Sequence, residues 1–414
     1  MKKRLAVLLA VLALLGAACG NDDDERSKGG AGTTAAGGAT QGVQTVTLAL
    51  GGPFSGSAKT TGDQIRAGAK VAADEVNDAG GIAGGPLKGA KIAFKEFDDS
   101  DEPARGAANM RSMVDDKGLI GFVGSGLSDV SLAMAPVASQ AGFTMLSAYA
   151  SSEKILAAAT AKKSVFVVAP TFPAYAFSVV DELIKAGRSK PAILHGTGTY
   201  GDGIADLSVA RLKQKNVTPV ANESFAFTDT DFRTPLAKAK NANADSLVVV
   251  GLANIDALII KQADELGLKV PFFDPGGIIN SDQFLKDAGP LANGAIGNTP
   301  TYGARDTGAT KSLRDRYTRA TGESVVPDPA VFAYEGVRAV AAALADGAGS
   351  RDDLADHLHR INIADTGVGS LRFADDGSRI GGRLYIFRVN NGKPEYFTSY
   401  EQTGPMDIKE VKLG

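Results

Sequence analysis

Short apolar runs alternate with amphipathic stretches from Thr45 onward. Ile65, Ala69, Ala72 and Val76 recur at the spacing of one face of a helix. We predict strands at 45–50, 91–97, 119–123, 143–147, 165–169, 191–195, 217–225, 246–251 and 383–389, and helices covering 63–77, 255–266 and 330–344. This alternation predicts an α/β protein with parallel sheets, and a body of about 370 residues is large enough for two lobes.

A different pattern precedes this body. Three basic residues open the chain, an apolar run follows at 5–15, and small residues lead to Cys19. The run is about half of the roughly 20 residues that a membrane-spanning helix needs, so it predicts a cleaved secretory signal at 1–18. Residues 19–44 carry almost no large apolar side chain beyond the cysteine, which predicts a disordered tether.

Composition narrows the function further. Among the 414 residues, 44 Lys and Arg face 47 Asp and Glu, and the formal net charge is −3. Without a basic excess we expect no nucleic-acid partner. Three His and one Cys are too few for a typical Cys/His zinc site and allow no intramolecular disulfide. We therefore expect neither a metal nor a cofactor.

A glycine-rich loop at 196–201 satisfies G-x-G-x-x-G between a predicted strand and a predicted helix, and Glu223 follows where a ribose-binding acid could lie. The pattern leaves two interpretations, an exported dinucleotide enzyme or a turn that lines a cleft. We favour the turn, since the loop lies mid-chain and nicotinamide cofactors are scarce outside the cytoplasm. No G-x-S-x-G elbow occurs in the body, so a serine hydrolase is not indicated.

Two serine-bearing segments follow neighbouring strands, at 124–129 and at 151–153, and each opens a predicted helix. Helix N-termini present unpaired N–H groups, and ligands of open α/β sheets bind at the carboxyl ends of strands. The two segments therefore predict a site for a small anion. The acidic run at 98–102 lacks the spacing of a calcium loop, and we interpret it as a solvated turn.

An ordered series of short motifs resembles the branched-chain amino-acid-binding proteins of ABC transporters. The resemblance covers about residues 45–400 and includes Val46–Gly56, Gly62-Asp63-Gln64, residues 72–82, Phe122-Val-Gly, Ala135-Pro-Val-Ala, Thr199–Gly203, residues 262–268 and Ala333–Val337. It implies the type I periplasmic-binding-protein fold, in which two Rossmann-like lobes are joined by a three-strand hinge. Lobe 1 would hold 45–169 plus 299–378, and lobe 2 would hold 170–298 plus 379–414.

The resemblance also implies a function and a location. Such proteins capture a ligand between the lobes, close by hinge motion and deliver the ligand to a membrane permease. The N-terminal pattern resembles a lipoprotein signal, which would make Cys19 the lipidated first residue on the outer face of the cell membrane. We expect a monomer and no enzymatic activity. A ligand-sensing module for a membrane receptor stays open as an alternative.

Site residues carry over from the family one by one. Ser128 matches the serine that holds the ligand carboxylate, Tyr149 falls at a backbone contact, and Ser151 replaces the usual threonine. Tyr200 matches a tyrosine that closes over the ligand. At the walls, Thr61 replaces an aromatic residue.

One departure leaves the ligand open. Gly277 falls where the amino-acid binders carry the glutamate that pairs with the ligand ammonium. A buried ammonium without an acceptor would cost several kcal/mol. Either Asp274 or Asp256 takes over this task, or the ligand is a carboxylate, an amide or another small solute that lacks the amine.

Overall fold

The computed structural model describes residues 44–301 and 308–412. In this part of the chain, the first sheet is entirely parallel, with the strand order β2-β1-β3-β4-β5. Its strands are β1 (Thr45–Gly52), β2 (Lys91–Asp98), β3 (Leu119–Gly124), β4 (Met145–Ser147) and β5 (Val165–Val167). Their predominantly apolar sequences fit a sheet that is covered on both faces.

Helices cover both faces of the first sheet. One face packs on α1 and α11, and the other packs on α2 and α3. The helices of this half are α1 (Lys59–Asp78), α2 (Pro103–Asp115), α3 (Ser128–Ala141), α4 (Glu153–Ala157), α10 (Gly308–Thr321), α11 (Asp328–Ala345) and α12 (Leu354–Leu358). Helices from two distant parts of the chain therefore share one core.

The second sheet is mixed. Strands β6 to β10 are parallel, and antiparallel strands extend the sheet beyond β10. The strands are β6 (Pro191–Gly196), β7 (Ala221–Phe225), β8 (Ser246–Val250), β9 (Phe272–Asp274), β10 (Ile296–Thr299), β11 (Ile363–Thr366), β12 (Gly369–Phe373), β13 (Arg379–Asn390), β14 (Lys393–Gly404) and β15 (Asp407–Val411). The expectation of parallel sheets thus holds for the first sheet and for part of the second.

Helices also flank the second sheet. Cores form with α5 and α6 on one side and with α7, α8 and α9 on the other. These helices are α5 (Phe172–Lys185), α6 (Thr199–Gln214), α7 (Arg233–Asn241), α8 (Ala253–Glu265) and α9 (Asp282–Ala288), and a short 3-10 helix covers Gly289–Ala292. The architecture confirms the predicted α/β class. The assignment of residues to two moving lobes stays a prediction.

Two predicted strands begin later than their sequences suggest. Asn216 has a φ of 61°, and the Val217 N–H returns to the Leu212 carbonyl at 2.9 Å. The Phe143 N–H returns to Ala138 in the same way, also at 2.9 Å. These β-prone residues therefore close the preceding helices, which is a common C-terminal capping geometry.

Candidate ligand-binding site

The turn after β3 positions Ser128, which is half-buried at the first residue of α3. A hydrogen bond fixes this turn, because the Ser125 hydroxyl donates to the Asp99 carboxylate at 3.0 Å. A Cβ added at Gly126 would lie 3.0 Å from the Thr61 methyl group, so Thr61 packs against the same turn. The structure therefore brings Thr61 to the Ser128 turn. Asp99 is buried, which corrects the interpretation of the acidic run as wholly solvated.

Tyr149 and Ser151 follow β4, the next strand of the sheet. Tyr149 is half-buried, and its ring stacks on Phe332 of α11 with 6.3 Å between centroids. The N-cap of α4 is Ser152, whose hydroxyl accepts from the Lys154 N–H at 3.3 Å. Ser151 is therefore not the capping residue, and its hydroxyl has no partner among the described residues.

Tyr200 lies in the first turn of α6, at the carboxyl end of β6. Its hydroxyl lies 3.0 Å from the Gly276 carbonyl and 3.3 Å from the Gly251 carbonyl, and it can donate to either. The ring of Phe172 meets it edge-on, with 6.1 Å between centroids. Burial and the nearby acids Asp274 and Asp256 raise the pKa of Tyr200, so its hydroxyl is a neutral donor.

The glycine-rich loop serves close packing. A Cβ at Gly201 would lie 1.7 Å from the Gly196 carbonyl oxygen, so α6 can approach β6 only with glycine at this position. Glu223 accepts from the Lys238 ammonium at 2.6 Å. The carboxylate that a ribose hydroxyl would need is therefore already paired with a lysine. The contacts thus fit a turn that delivers Tyr200.

Gly276 and Gly277 border Tyr200 and Tyr175, and they are the candidate opposite wall of the site. Gly277 has a φ of 88°, and a Cβ there would lie 3.4 Å from the Tyr175 ring. A Cβ at Gly276 would instead lie 2.5 Å from the Tyr200 hydroxyl and 3.1 Å from Asp274 Oδ1. A side chain at 276 would therefore point to Tyr200, while position 277 borders Tyr175.

Two fully buried carboxyl groups lie behind this wall. Burial raises the pKa of Asp274 to about 7, although the N–H groups of Gly276 and Ile278 donate to its oxygens at 2.6 and 2.8 Å. Burial and the charge of Asp274 raise the pKa of Asp256 well above its usual range. Within the described part of the chain, neither oxygen of Asp256 has a hydrogen-bond partner. Both groups are thus driven toward the protonated form.

Two further residues that sequence reasoning missed border this site. Tyr175, near the start of α5, faces Gly277, and Asp328 is the first residue of α11. The Asp328 charge adds to the burial that raises the pKa of both Tyr149 and Tyr175. Tyr175 resembles a core residue in its apolar helix, and an acid at a helix start is common. Neither position therefore carries a distinguishing sequence signal.

The two sheet-bearing halves meet beside Ser128. The Thr199 hydroxyl, at the start of α6, donates to the Asp129 carboxylate, at the start of α3. A Cβ at Gly198 would lie 3.6 Å from the other Asp129 oxygen. The carboxyl ends of β3 and β6 thus lie close together, with Ser128 beside one and Tyr200 beside the other, which makes the space between them the candidate cleft.

Small-molecule sites occur preferentially between domains, so this arrangement of two α/β halves is typical of a two-lobed binding protein. Residues 45–394 match a periplasmic binding protein family, and the chain belongs to that family. Membership implies an extracytoplasmic location. Over 369 residues the chain is 26% identical to Leu/Ile/Val-binding protein homolog 3 of Brucella melitensis biotype 1, covering 86% of this chain and 95% of that protein.

Solved structures agree with this assignment. The fold is similar to LivJ, the branched-chain amino acid transporter substrate binding protein of Streptococcus pneumoniae in complex with isoleucine, at 24% identity and a TM-score of 0.72, covering 89% of this chain and 100% of that one. It is also similar to an ABC transporter solute binding protein of Rhodopseudomonas palustris BisB5 in complex with 3,4-dihydroxybenzoic acid, at 20% identity and a TM-score of 0.73, covering 87% and 98%. The family match and the Leu/Ile/Val-binding relative show a binding protein rather than an enzyme, and the solved structures share its fold.

Several predictions concern residues outside this site. Cys19, the signal and nearly all of the tether lie outside the described residues. Within the described ranges, no helix is long and apolar enough to cross a membrane. The same residues contain no cluster of three or more His, Cys, Asp or Glu side chains that could hold a metal ion.

Proposed function

We propose that this chain is the substrate-binding lipoprotein of an ABC importer. It captures an amino acid or a related small carboxylate or amide between its lobes and presents the closed form to the permease as a monomer. The observation that carries the proposal is the placement of Ser128 and Tyr200 on facing strand ends. The Leu/Ile/Val-binding relatives support the same ligand class.

The roles within the cleft follow from chemistry. Ser128, half-buried at the N-terminus of a helix, donates its hydroxyl to the ligand carboxylate beside the positive end of the helix dipole. Ser151 adds a second hydroxyl, and the backbone at Tyr149 completes that side. Tyr200 closes from lobe 2, while Thr61 and Gly277 form the walls. Isoleucine and 3,4-dihydroxybenzoic acid, the ligands of two similar structures, share a carboxyl group, which supports a carboxylate site.

Closure uses the contact at the cleft mouth. The hydrogen bond from Thr199 to Asp129 joins the helix that bears Ser128 to the helix that bears Tyr200. In the open form both groups would be solvated, so this bond contributes little by itself. A ligand that bridges the two helices adds the contacts that favour the closed population.

A thermal-shift panel tests the ligand class. A ligand at about 100 times its dissociation constant adds roughly 2.7 kcal/mol of stability. We expect at least one of leucine, isoleucine and valine, or their deaminated acids, to raise the unfolding midpoint of the purified chain. Ser128→Ala should weaken that ligand about 10- to 100-fold, because a hydrogen bond to a charged group is lost. The primary amide of the same ligand should lose much less.

The matched control for this variant is Ser112→Ala, which removes an exposed hydroxyl from α2. It should leave affinity unchanged. Equal affinities of Ser128→Ala and the parent would remove Ser128 from the carboxylate site. A panel in which no member raises the midpoint would contradict the proposed function.

The lipid anchor has its own test. Cys19→Ser removes the thiol that lipidation requires, and we expect the variant to leave the membrane fraction for the soluble extracytoplasmic fraction. Mass spectrometry of the N-terminal peptide of the parent chain should show a mass increase on Cys19. A variant that stays with the membrane as completely as the parent would contradict anchoring through this residue.

A further inference from the structure

Asp328 is a half-buried carboxylate at the first residue of α11, one turn before Phe332, whose ring stacks on Tyr149. Its Oδ1 accepts from the Thr301 hydroxyl at 2.6 Å, and Oδ2 has no partner among the described residues. The Asp328 charge acts on Tyr149 of lobe 1 and on Tyr175, whose ring borders Gly277 of lobe 2. The carboxylate thus lies on the lobe 1 side, within electrostatic reach of both walls.

The usual role of an acid at a helix start does not account for this group. An acid that stabilises a helix N-terminus has its charged form favoured by the dipole. At Asp328 burial dominates and raises the pKa to about 6. An anion held against its desolvation cost needs a cationic partner. Arg379 is the nearby cation, and its charge counteracts the rise in the pKa of Tyr175. Arg379 is fully buried, however, and already forms an ion pair with Glu335.

The other two acids near the cleft are poorly placed to touch a ligand. Asp256 and Asp274 have no exposed surface. The oxygens of Asp274 already accept from backbone N–H groups. Of the acids around Tyr149, Tyr175 and Tyr200 in the described residues, Asp328 therefore combines a free oxygen with accessible surface.

We propose that the ligand carries a protonated amine and that Asp328, on lobe 1, is the carboxylate that accepts it. This inference rests on the proposed function and narrows its ligand class from carboxylates in general to amino acids and amines of similar size. It moves the amine acceptor away from position 277 and from both buried acids. With the acceptor at Asp328, an amine ligand would need no carboxylate at position 276 or 277.

Four dissociation constants test the assignment of Asp328 as the amine acceptor. They are those of an amino acid and of its deaminated acid, each measured with the parent chain and with Asp328→Asn. The probes are l-leucine, l-isoleucine and l-valine, each paired with its deaminated acid, and calorimetry gives the dissociation constants. Asp328→Asn keeps the size of the side chain and an acceptor for Thr301. We expect it to weaken the amino acid about 10- to 100-fold and the deaminated acid by less than about threefold.

The matched control is Asp282→Asn, because Asp282 is also the first residue of a helix but is exposed. It should change neither affinity. A second readout is pH: from about pH 7 to pH 5 both Asp274 and Asp328 take up protons, and the affinity of the parent for the amino acid should fall about tenfold because Asp328 loses its charge. Asp274 is present in the parent and in Asp328→Asn alike, so the comparison of the two isolates Asp328. Tyr149 and Tyr175 stay neutral across this range, since burial raises the pKa of both. Asp328→Asn should lack this dependence.

Each result decides between the two proposals. If amino acids bind and Asp328→Asn weakens both members of a pair equally, or neither, the amine assignment is wrong and the proposed function stands. Tighter binding of the deaminated acid by the parent overturns the assignment in the same way. If no probe of either kind binds, the proposed function fails and the amine assignment fails with it.

Discussion

Glu335→Ala should lower the free energy of unfolding by about 3 to 5 kcal/mol, because it leaves the Arg379 guanidinium charged and buried without its counter-ion. Both side chains are 0% exposed. Arg379 also donates to the carbonyl of Val168 at 2.8 Å and to the Thr366 hydroxyl at 3.0 Å. Arg379 begins β13, so the loss should loosen the link between the first sheet and β13 as well.

Urea or thermal unfolding of the purified chain measures this loss. Glu265→Ala is the matched control, because Glu265 pairs with Arg233 at 2.9 Å with both side chains more than half exposed. Exposed pairs of this kind contribute at most about 1 kcal/mol. A loss for Glu335→Ala no larger than that of the control would contradict a structural role for the buried pair.

Gly201→Ala should destabilise the chain by about 1 to 3 kcal/mol or more and should weaken ligand binding as well. The added methyl group would lie 1.7 Å from the Gly196 carbonyl oxygen, which is backbone and cannot swing aside. Helix α6 must then move away from β6. Tyr200 moves with it and loses its contacts to the carbonyls of Gly251 and Gly276.

Gly308→Ala is the control, since it makes the same chemical change at the first residue of α10. Among the described residues, the nearest neighbour of a Cβ there is the Asp365 carboxylate, at 3.9 Å. It should leave stability and affinity within experimental error of the parent. If Gly201→Ala behaved like this control, the close approach of α6 to β6 would not be a constraint.

Local patterns in the sequence account for much of the fold. The recurrence of Ile65, Ala69, Ala72 and Val76 predicts α1, and the apolar runs predict β1 to β8 and β13. They miss β9 and β10, which lie in the middle of the second sheet. Strand β14 carries charged residues among its buried and half-buried positions, and no residue of β15 is buried, so no apolar run distinguishes either strand. Their pairing depends on contacts with β13, which local patterns do not contain.

Some features of the candidate site can also be predicted from local sequence patterns, and others cannot. The serine-bearing turns and the glycine-rich loop are visible because each combines a strand, a turn and a helix start. The hydrogen bond from Ser125 to Asp99 and the stacking of Tyr149 on Phe332 join residues far apart in the chain. Such contacts follow from tertiary packing, so a single sequence could not predict them.

Isothermal titration calorimetry of the purified chain decides whether it is a carboxylate-binding protein or a dinucleotide-binding enzyme. The titrants are leucine, isoleucine, valine, their deaminated acids and NAD. We expect one of the carboxylates to bind at one site per chain, with a negative heat-capacity change as the lobes close over its apolar part. NAD should give no heat of binding. Binding of NAD with no response to any of the carboxylates would contradict the account.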